Sequence, residues 1–169
     1  MRKSIVRGVA LAASLFLCNG LNVSAAGWSE VGQYGRPFVL VYEDTQEQID
    51  EEIRLGELEE LAQLVEAEAG NQSFEGKCLV VDVVLNRVES DEFPDNIHDV
   101  IFQKGQFSVT WNGAFEKAAW TVDESDFAAV ACETEMHHNK DVIAFNCNSN
   151  VAGKGELFKV GGHWFRNDG

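Results

Sequence analysis

Apolar residues recur every three or four positions in the first half of this chain, which is the spacing of an amphipathic α-helix. The spacing predicts a first helix over residues 50–69, or 45–69 with its acidic start, and Gly70 ends it. Its apolar stripe consists of Leu58, Leu61, Ala62, Leu64, Val65 and Ala69. A second apolar run, over residues 74–88, is longer than an ordinary strand. We therefore expect a buried helix there, although its valines favour a strand locally.

The pattern changes in the second half of the chain. A short helical turn follows Pro94, and a further helix is predicted over residues 125–137. Residues 142–145 and 157–160 are rich in β-branched and aromatic side chains and are separated by a glycine-rich loop, which predicts strands and a terminal hairpin. Helices first and strands last predict an α+β fold, as one mostly helical domain with a small C-terminal antiparallel β-sheet.

The N-terminal residues have the organisation of a secretory signal peptide. Three basic residues precede an apolar run over residues 9–17, and small residues at 24–26 offer a cleavage site. The run is well short of the roughly 20 residues that cross a bilayer, so we expect a secreted protein that leaves the membrane after cleavage. The predicted organisation is a signal peptide at 1–26, a lead-in segment at 27–50 and one folded domain at 51–169.

Charge and cysteine content narrow the possible partners. A formal net charge of −15 repels nucleic acid and anionic lipid, so we expect neither as a partner. A lipid anchor at Cys18 is the alternative to secretion, but Leu17 is large for a residue that precedes a lipidated cysteine. Beyond the signal peptide no cysteines are closely spaced, and a bond between Cys132 and Cys147 stays open. Cys78, in an apolar helix, is expected to be protonated and unreactive.

Glu68 stands out because it lies on the apolar stripe of the first helix. At about 100° per residue it is roughly 40° from Leu64 and roughly 60° from Val65. Glu66 projects away from the stripe and is predicted to face solvent. Burial raises the pKa of a carboxyl group, and a carboxyl that stays protonated near neutral pH can protonate the leaving oxygen of a glycosidic bond. The alternative is that Glu68 is a capped or salt-bridged glutamate near the C-terminal end of the helix.

Four sequence blocks point to a known family. They are EAGNQSFEGK (68–77), VVLNRV (83–88), FPDNI with VIFQKGQFS (93–108) and GHWF (162–165). In this order and spacing they resemble the SleB/CwlJ family of spore-cortex and cell-wall hydrolases. The resemblance implies a lysozyme-like catalytic domain over residues 51–169 that acts on the glycan strands of peptidoglycan, with Glu68 as the catalytic acid.

The same resemblance suggests four substrate-binding residues. Gln106 can both donate and accept hydrogen bonds, which suits the amide of an N-acetyl sugar. Phe107 offers apolar surface to a sugar or packs in the core, and Asn146 lines the groove or caps a turn. His163 orients the substrate or the catalytic acid, or is simply satisfied within the core.

The chain departs from the family pattern beside the catalytic acid. Where the family usually has a second acid four residues after the first, this chain has Gln72, and Gly70 takes a place commonly filled by arginine. These changes put in doubt any mechanism that uses a nearby second carboxylate. We therefore expect one acid, Glu68, and a product with 1,6-anhydro-N-acetylmuramic acid ends. If water attacks instead, the candidates for the missing partner are Glu75, Asp82 and Glu133.

Three functions are compatible with the sequence. The first is a lytic transglycosylase or muramidase that cuts between N-acetylmuramic acid and N-acetylglucosamine. The second is an N-acetylmuramoyl-L-alanine amidase, and the third is a catalytically silent wall-binding or spore-structural protein. The four histidines, His98, His137, His138 and His163, lack the spacing of a zinc site, so we expect no metal and no cofactor. An inhibitory or chaperone partner stays unknown.

Overall fold

The computed structural model describes residues 45–168. The predicted signal peptide and nearly all of the lead-in segment lie outside these residues, so the domain bounds stay a prediction. Among the described residues, no helix combines the length and the apolar composition that crossing a membrane requires.

Six helices occupy the described chain before the sheet. They are α1 Gln46–Ala69, α2 Phe74–Glu89, α3 Ile97–Ile101, α4 Val109–Asn112, α5 Ala114–Ala118 and α6 Glu124–Met136. The three long helices confirm the predictions to within a residue or a few at each end. The start of α2 is fixed by Ser73, whose Oγ accepts a hydrogen bond from Gly76 N at 3.3 Å. Asp123 forms a capping box with Asp126 at the start of α6.

The strands form one three-stranded antiparallel sheet. They are β1 Val142–Asn146, β2 Leu157–Val160 and β3 His163–Asn167, in the spatial order β1-β3-β2. The predicted hairpin of residues 142–145 with residues 157–160 is wrong, because β1 and β2 do not pair with each other. β3, a strand that the sequence pattern did not predict, lies between them and pairs antiparallel with both. The described residues therefore have the predicted α+β fold, with the helices first and a small C-terminal sheet last.

Helix α2 lies at the centre of the core and contacts α3, α6 and β1. Its residues Val80, Val81, Val83 and Val84 are completely buried. Burying one such side chain contributes roughly 1.5–3 kcal/mol, which exceeds the few tenths of a kcal/mol that valine costs in a helix. The burial of α2 among the neighbouring elements thus explains why this valine-rich segment is helical.

Two details differ from simple expectations. Glu66, predicted to face solvent, is half-buried because its side chain folds towards the helix end and lies near Lys77. Cys78, Cys132 and Cys147 are all free thiols. The Cys132–Cys147 bond is therefore not formed in this structure, and burial raises the pKa of the Cys78 thiol far above its usual value, so that thiol is protonated.

Candidate active site

Glu68 lies in the last turn of α1 and is half-buried. Among residues 45–168 it has no hydrogen bond or ion pair that would stabilise its charged form. Burial raises the pKa of its carboxyl group above the ordinary value of 4.5. A carboxyl that holds its proton more tightly and is still accessible from one side has the properties that an acid catalyst needs.

Gln72 connects the end of α1 to the turn between β2 and β3. Its Oε1 accepts a hydrogen bond from Gly162 N at 2.7 Å. The neighbouring Gly161 has a φ of +57°, and a Cβ built there would lie 2.5 Å from the same oxygen, so this approach requires glycine. Gln72 follows Glu68 by four residues, and Gly162 directly precedes His163. The hydrogen bond between Gln72 and Gly162 therefore brings the first and last sequence blocks together.

His163 is buried, at 9% exposure, and its Nδ1 has no hydrogen-bond partner among the described residues. Its ring centre lies 5.3 Å from that of Phe145, and burial lowers the pKa of the imidazole. The ring is therefore neutral near pH 7. The unpaired Nδ1 is itself buried, so in this structure a sugar does not reach it, and the ring packs against Phe145.

Asn146 and Gln106 lie on either side of the same aromatic cluster. Asn146 is exposed at the end of β1, paired in register with Trp164 of β3. Gln106 is exposed directly after Gly105, whose φ of +87° makes the break in the chain. Both residues are exposed, although Asn146 Oδ1 already accepts hydrogen bonds from Asn148 N and Cys147 Sγ at 3.3 Å.

Phe107 is in the core rather than on this surface. Only 2% of its surface is exposed, and its ring centre lies 6.2 Å from that of Phe145. In this structure a sugar has no face of the ring to stack on. Of the two roles that the sequence left open for Phe107, packing is the one that its burial supports, and it anchors the preceding Gln106.

Arg87 holds in place the loop of residues 105–107, which we call the glutamine loop because it carries Gln106. This role was not predicted from the sequence. Its guanidinium lies 5.1 Å from the ring centre of Phe93 and 5.0 Å from that of Phe107. Its Nε donates a hydrogen bond to Ile143 O of β1 at 3.0 Å. The side chain therefore links the glutamine loop to the sheet. Its place next to Asn86 in the second sequence block was the available signal, but its partners are distant in the sequence.

Of the three candidate carboxylates that the sequence named, two are buried in the core and one is exposed. Asp82 is fully buried and Glu133 is 2% exposed. Asp82 accepts a hydrogen bond from Asn139 Nδ2 at 2.9 Å, and Glu133 binds His138. Glu75 is exposed at the start of α2. The two buried acids are thus engaged in the core and are not placed to activate a water molecule.

The four histidines have separate partners. His98 contacts Glu60, His137 contacts Asn86 and His138 contacts Glu133 through ring nitrogens at 2.8–2.9 Å, whereas His163 lies against aromatic rings. Among residues 45–168 no group that could hold a metal contains a histidine. A cavity of about 300 Å³ is lined by residues 138–142 with Glu156, Phe158 and Asn167. None of the predicted site residues lines it.

Comparison with known proteins identifies the family of this chain. The model of the cell wall hydrolase family matches residues 71–166, which is more than half of the chain and begins just after Glu68. A curated relative, a spore cortex-lytic enzyme of Halalkalibacterium halodurans, is 29% identical over 113 residues. That alignment covers 63% of this chain and 33% of the relative, so this chain matches only a third of that protein's length.

Two solved structures have the same fold. The catalytic domain of the germination-specific lytic transglycosylase SleB from Bacillus anthracis is 23% identical, with a TM-score of 0.55 over 66% of this chain and 93% of that one. The SleB catalytic domain of Bacillus cereus is also 23% identical, with a TM-score of 0.56 over 67% of this chain and 91% of that one. With the match over residues 71–166, the resemblance seen in the four sequence blocks is confirmed, and the chain belongs to the cell wall hydrolase family.

Proposed function

We propose that this protein degrades peptidoglycan by cutting the glycan strand between N-acetylmuramic acid and N-acetylglucosamine. The observation that supports this most is Glu68, a half-buried carboxyl with a raised pKa and no partner among the described residues. The family membership of the chain and its curated relative, a spore cortex-lytic enzyme, make peptidoglycan the substrate class to test first.

Glu68 donates its proton to the oxygen between the two sugars as that bond breaks. The developing positive charge on the anomeric carbon is then close to the carboxylate that remains. Asp82 and Glu133 are buried in the core, and Glu75 on α2 is the exposed candidate that remains. In this proposal the attacking group is the 6-hydroxyl of the same muramic acid, whereas reducing muramic acid ends would mean that water attacks with Glu75 as its base. The oxygen of the 6-hydroxyl bonds to the anomeric carbon and its proton returns to Glu68, which restores the acid and leaves a 1,6-anhydro end.

Two exposed amide side chains bind the sugars in this proposal. The exposed amides of Gln106 and Asn146 suit the N-acetyl groups, because an amide can both donate and accept. His163, whose Nδ1 is buried, supports this surface by packing against Phe145. Phe107 and Arg87 hold the glutamine loop against the sheet, without touching the substrate.

The bond that is cut separates this function from its alternatives. Purified protein is incubated with purified peptidoglycan, and the soluble products are identified by mass spectrometry. Glycan fragments that keep their stem peptides are the expected result. Free stem peptides with intact glycan would instead mean an amidase, and an absence of soluble products from folded protein would mean a silent wall-binding protein.

Export completes the proposal. Residues 1–26 are a signal peptide, and the mature chain acts outside the membrane on the wall or the spore cortex. The intact mass of protein recovered from a culture medium checks this, with an N-terminus at Ala26 or Gly27 as the expected result. A recovered chain that starts at Met1, or one that carries lipid on Cys18, would contradict it.

A further inference from the structure

A group of thiol and carboxyl side chains is buried between α2 and α6, apart from the site of Glu68. We call it the α2–α6 cluster, and its members are Cys78, Asp82, Cys132 and Glu133. Both sulfur atoms and a carboxylate oxygen of Glu133 lie within 4.8 Å of one another. Asp82 follows Cys78 by one helical turn on α2 and lies against Glu133.

The cluster has no lysine or arginine partner among the described residues, and a ring near its carboxylates is that of His138, whose Nδ1 lies 2.9 Å from Glu133 Oε2. At the other end of the same helix pair, the buried Asp126 is neutralised by Lys77 Nζ at 2.8 Å. Among residues 45–168, no lysine or arginine forms an ion pair with Asp82 or Glu133. A buried carboxylate is otherwise stabilised by a proton or by a metal ion.

Asp82, which borders the three closely spaced ligand atoms, has one unpaired carboxylate oxygen. Asp82 is completely buried, and its Oδ2 accepts from Asn139 Nδ2 at 2.9 Å, whereas its Oδ1 has no hydrogen-bond donor. Glu133 is oriented from outside the cluster as well, since Oε2 accepts from His138 N at 2.8 Å. Outer hydrogen bonds that orient carboxylates in this way are typical of metal ligands.

We propose that the α2–α6 cluster is a structural zinc site that joins α2 to α6. Thiolate sulfur favours Zn²⁺ over Mg²⁺ or Ca²⁺, and the three closely spaced ligands leave the fourth corner of a tetrahedron to Asp82 or to a water molecule. Two sulfurs bound to one zinc ion are about 3.8 Å apart in that geometry, which the present spacing can reach with small movements of the side chains. Binding releases the two thiol protons to solvent, and the half-exposed Cys132 provides a path for the ion.

The zinc site is independent of the proposed chemistry at Glu68. Glu68 is on α1 and is not a member of the cluster, so the ion would stabilise the fold and take no part in bond cleavage. The test therefore uses metal binding and thermal unfolding, and its outcome does not depend on whether the protein cuts peptidoglycan.

Cobalt(II) is the probe, because it replaces zinc and reports thiolate ligands by absorption. Reduced, chelator-treated protein is titrated with Co²⁺, and the same titration is repeated with Cys132→Ser and with Cys147→Ser, whose exposed thiol is outside the cluster. We expect wild type and Cys147→Ser to bind one ion with a tetrahedral, sulfur-ligated spectrum that Zn²⁺ abolishes. Cys132→Ser should lose more affinity than the roughly 10–100-fold that an outer-shell partner costs.

Two further measurements keep the result decisive. Zn²⁺ should raise the unfolding temperature of wild type and Cys147→Ser but not of Cys132→Ser. X-ray absorption of the zinc-loaded wild type should show two sulfur ligands, whether or not a variant folds. Folded wild type that binds no cobalt, or an equal loss in Cys147→Ser, would overturn the proposal. So would an unreduced intact mass lower by two hydrogens, which would mean that the cysteines form a disulfide instead.

Discussion

Gln72 Oε1 accepts a hydrogen bond from Gly162 N at 2.7 Å, across 90 positions of sequence. The contact holds the β2–β3 turn against the helix end that carries Glu68, and it occupies the place where the family usually has a second acid. Gln72 therefore has a positioning role in this chain, at the place where a second acid would have a chemical one.

Removing this acceptor should impair activity more than folding. For Gln72→Ala we expect a loss of about 1 kcal/mol in the free energy of unfolding, typical of one hydrogen bond. The rate of peptidoglycan solubilisation should fall roughly tenfold, because small displacements at a site are costly. Gln72→Glu keeps an acceptor oxygen at the same reach and should remain within a fewfold of wild type. An alanine variant with full activity would show that the contact is incidental.

Arg87 should matter through the loop that it holds. Arg87→Lys removes the planar group between Phe93 and Phe107 and its hydrogen bond to Ile143 O. We expect it to destabilise the protein by about 2 kcal/mol and to raise KM for peptidoglycan fragments. The matched control is Arg54→Lys, at an exposed pair with Glu51 on α1. Equal unfolding temperatures for the two variants would contradict this role.

The raised pKa of Glu68 predicts that, as pH rises, the activity of the wild type falls and the stability of Glu68→Gln relative to wild type increases. The acid form acts, so kcat/KM of the wild type should fall as pH rises through a pKa above 4.5. The folded state also holds this proton more tightly than the unfolded state, so ionising Glu68 costs stability as pH rises through the folded pKa. Glu68→Gln lacks that cost. Its unfolding temperature relative to wild type should rise with pH, and a constant difference would contradict the assigned pKa shift.

The sequence predicted features that local periodicity determines. Glu68 was found because its neighbours at three and four positions are apolar, and the long helices and the positions of β1 and β2 followed from patterns of the same kind. The strand β3 and its place between β1 and β2 were not predicted. Helices α4 and α5 are only 4 and 5 residues long, which is too short for a period to be visible. Their formation depends on the core around Phe115 and on the left-handed Gly113 between them.

The sequence did not predict the contacts between segments that are far apart along the chain. Neither the link from Gln72 to Gly162 nor the approach of Cys132 to Cys78 has a local signal, because each joins segments that meet only after α2 is enclosed. Glu66 was wrongly predicted to face solvent because a helical angle says nothing about where a long side chain folds. Its proximity to Lys77 comes from tertiary packing.

The rate and products of Glu68→Gln test the central claim most directly. Glutamine keeps the shape of the side chain but has no proton to transfer, and positioned acids contribute roughly 10²–10⁴-fold. Glu59→Gln is the matched control, since Glu59 is an exposed glutamate on the same helix. We expect Glu68→Gln to unfold at a temperature no lower than wild type, to lose solubilisation by that factor, and Glu59→Gln and wild type to release fragments with 1,6-anhydro-N-acetylmuramic acid ends. A folded Glu68→Gln that releases the same fragments at the wild-type rate would contradict the account.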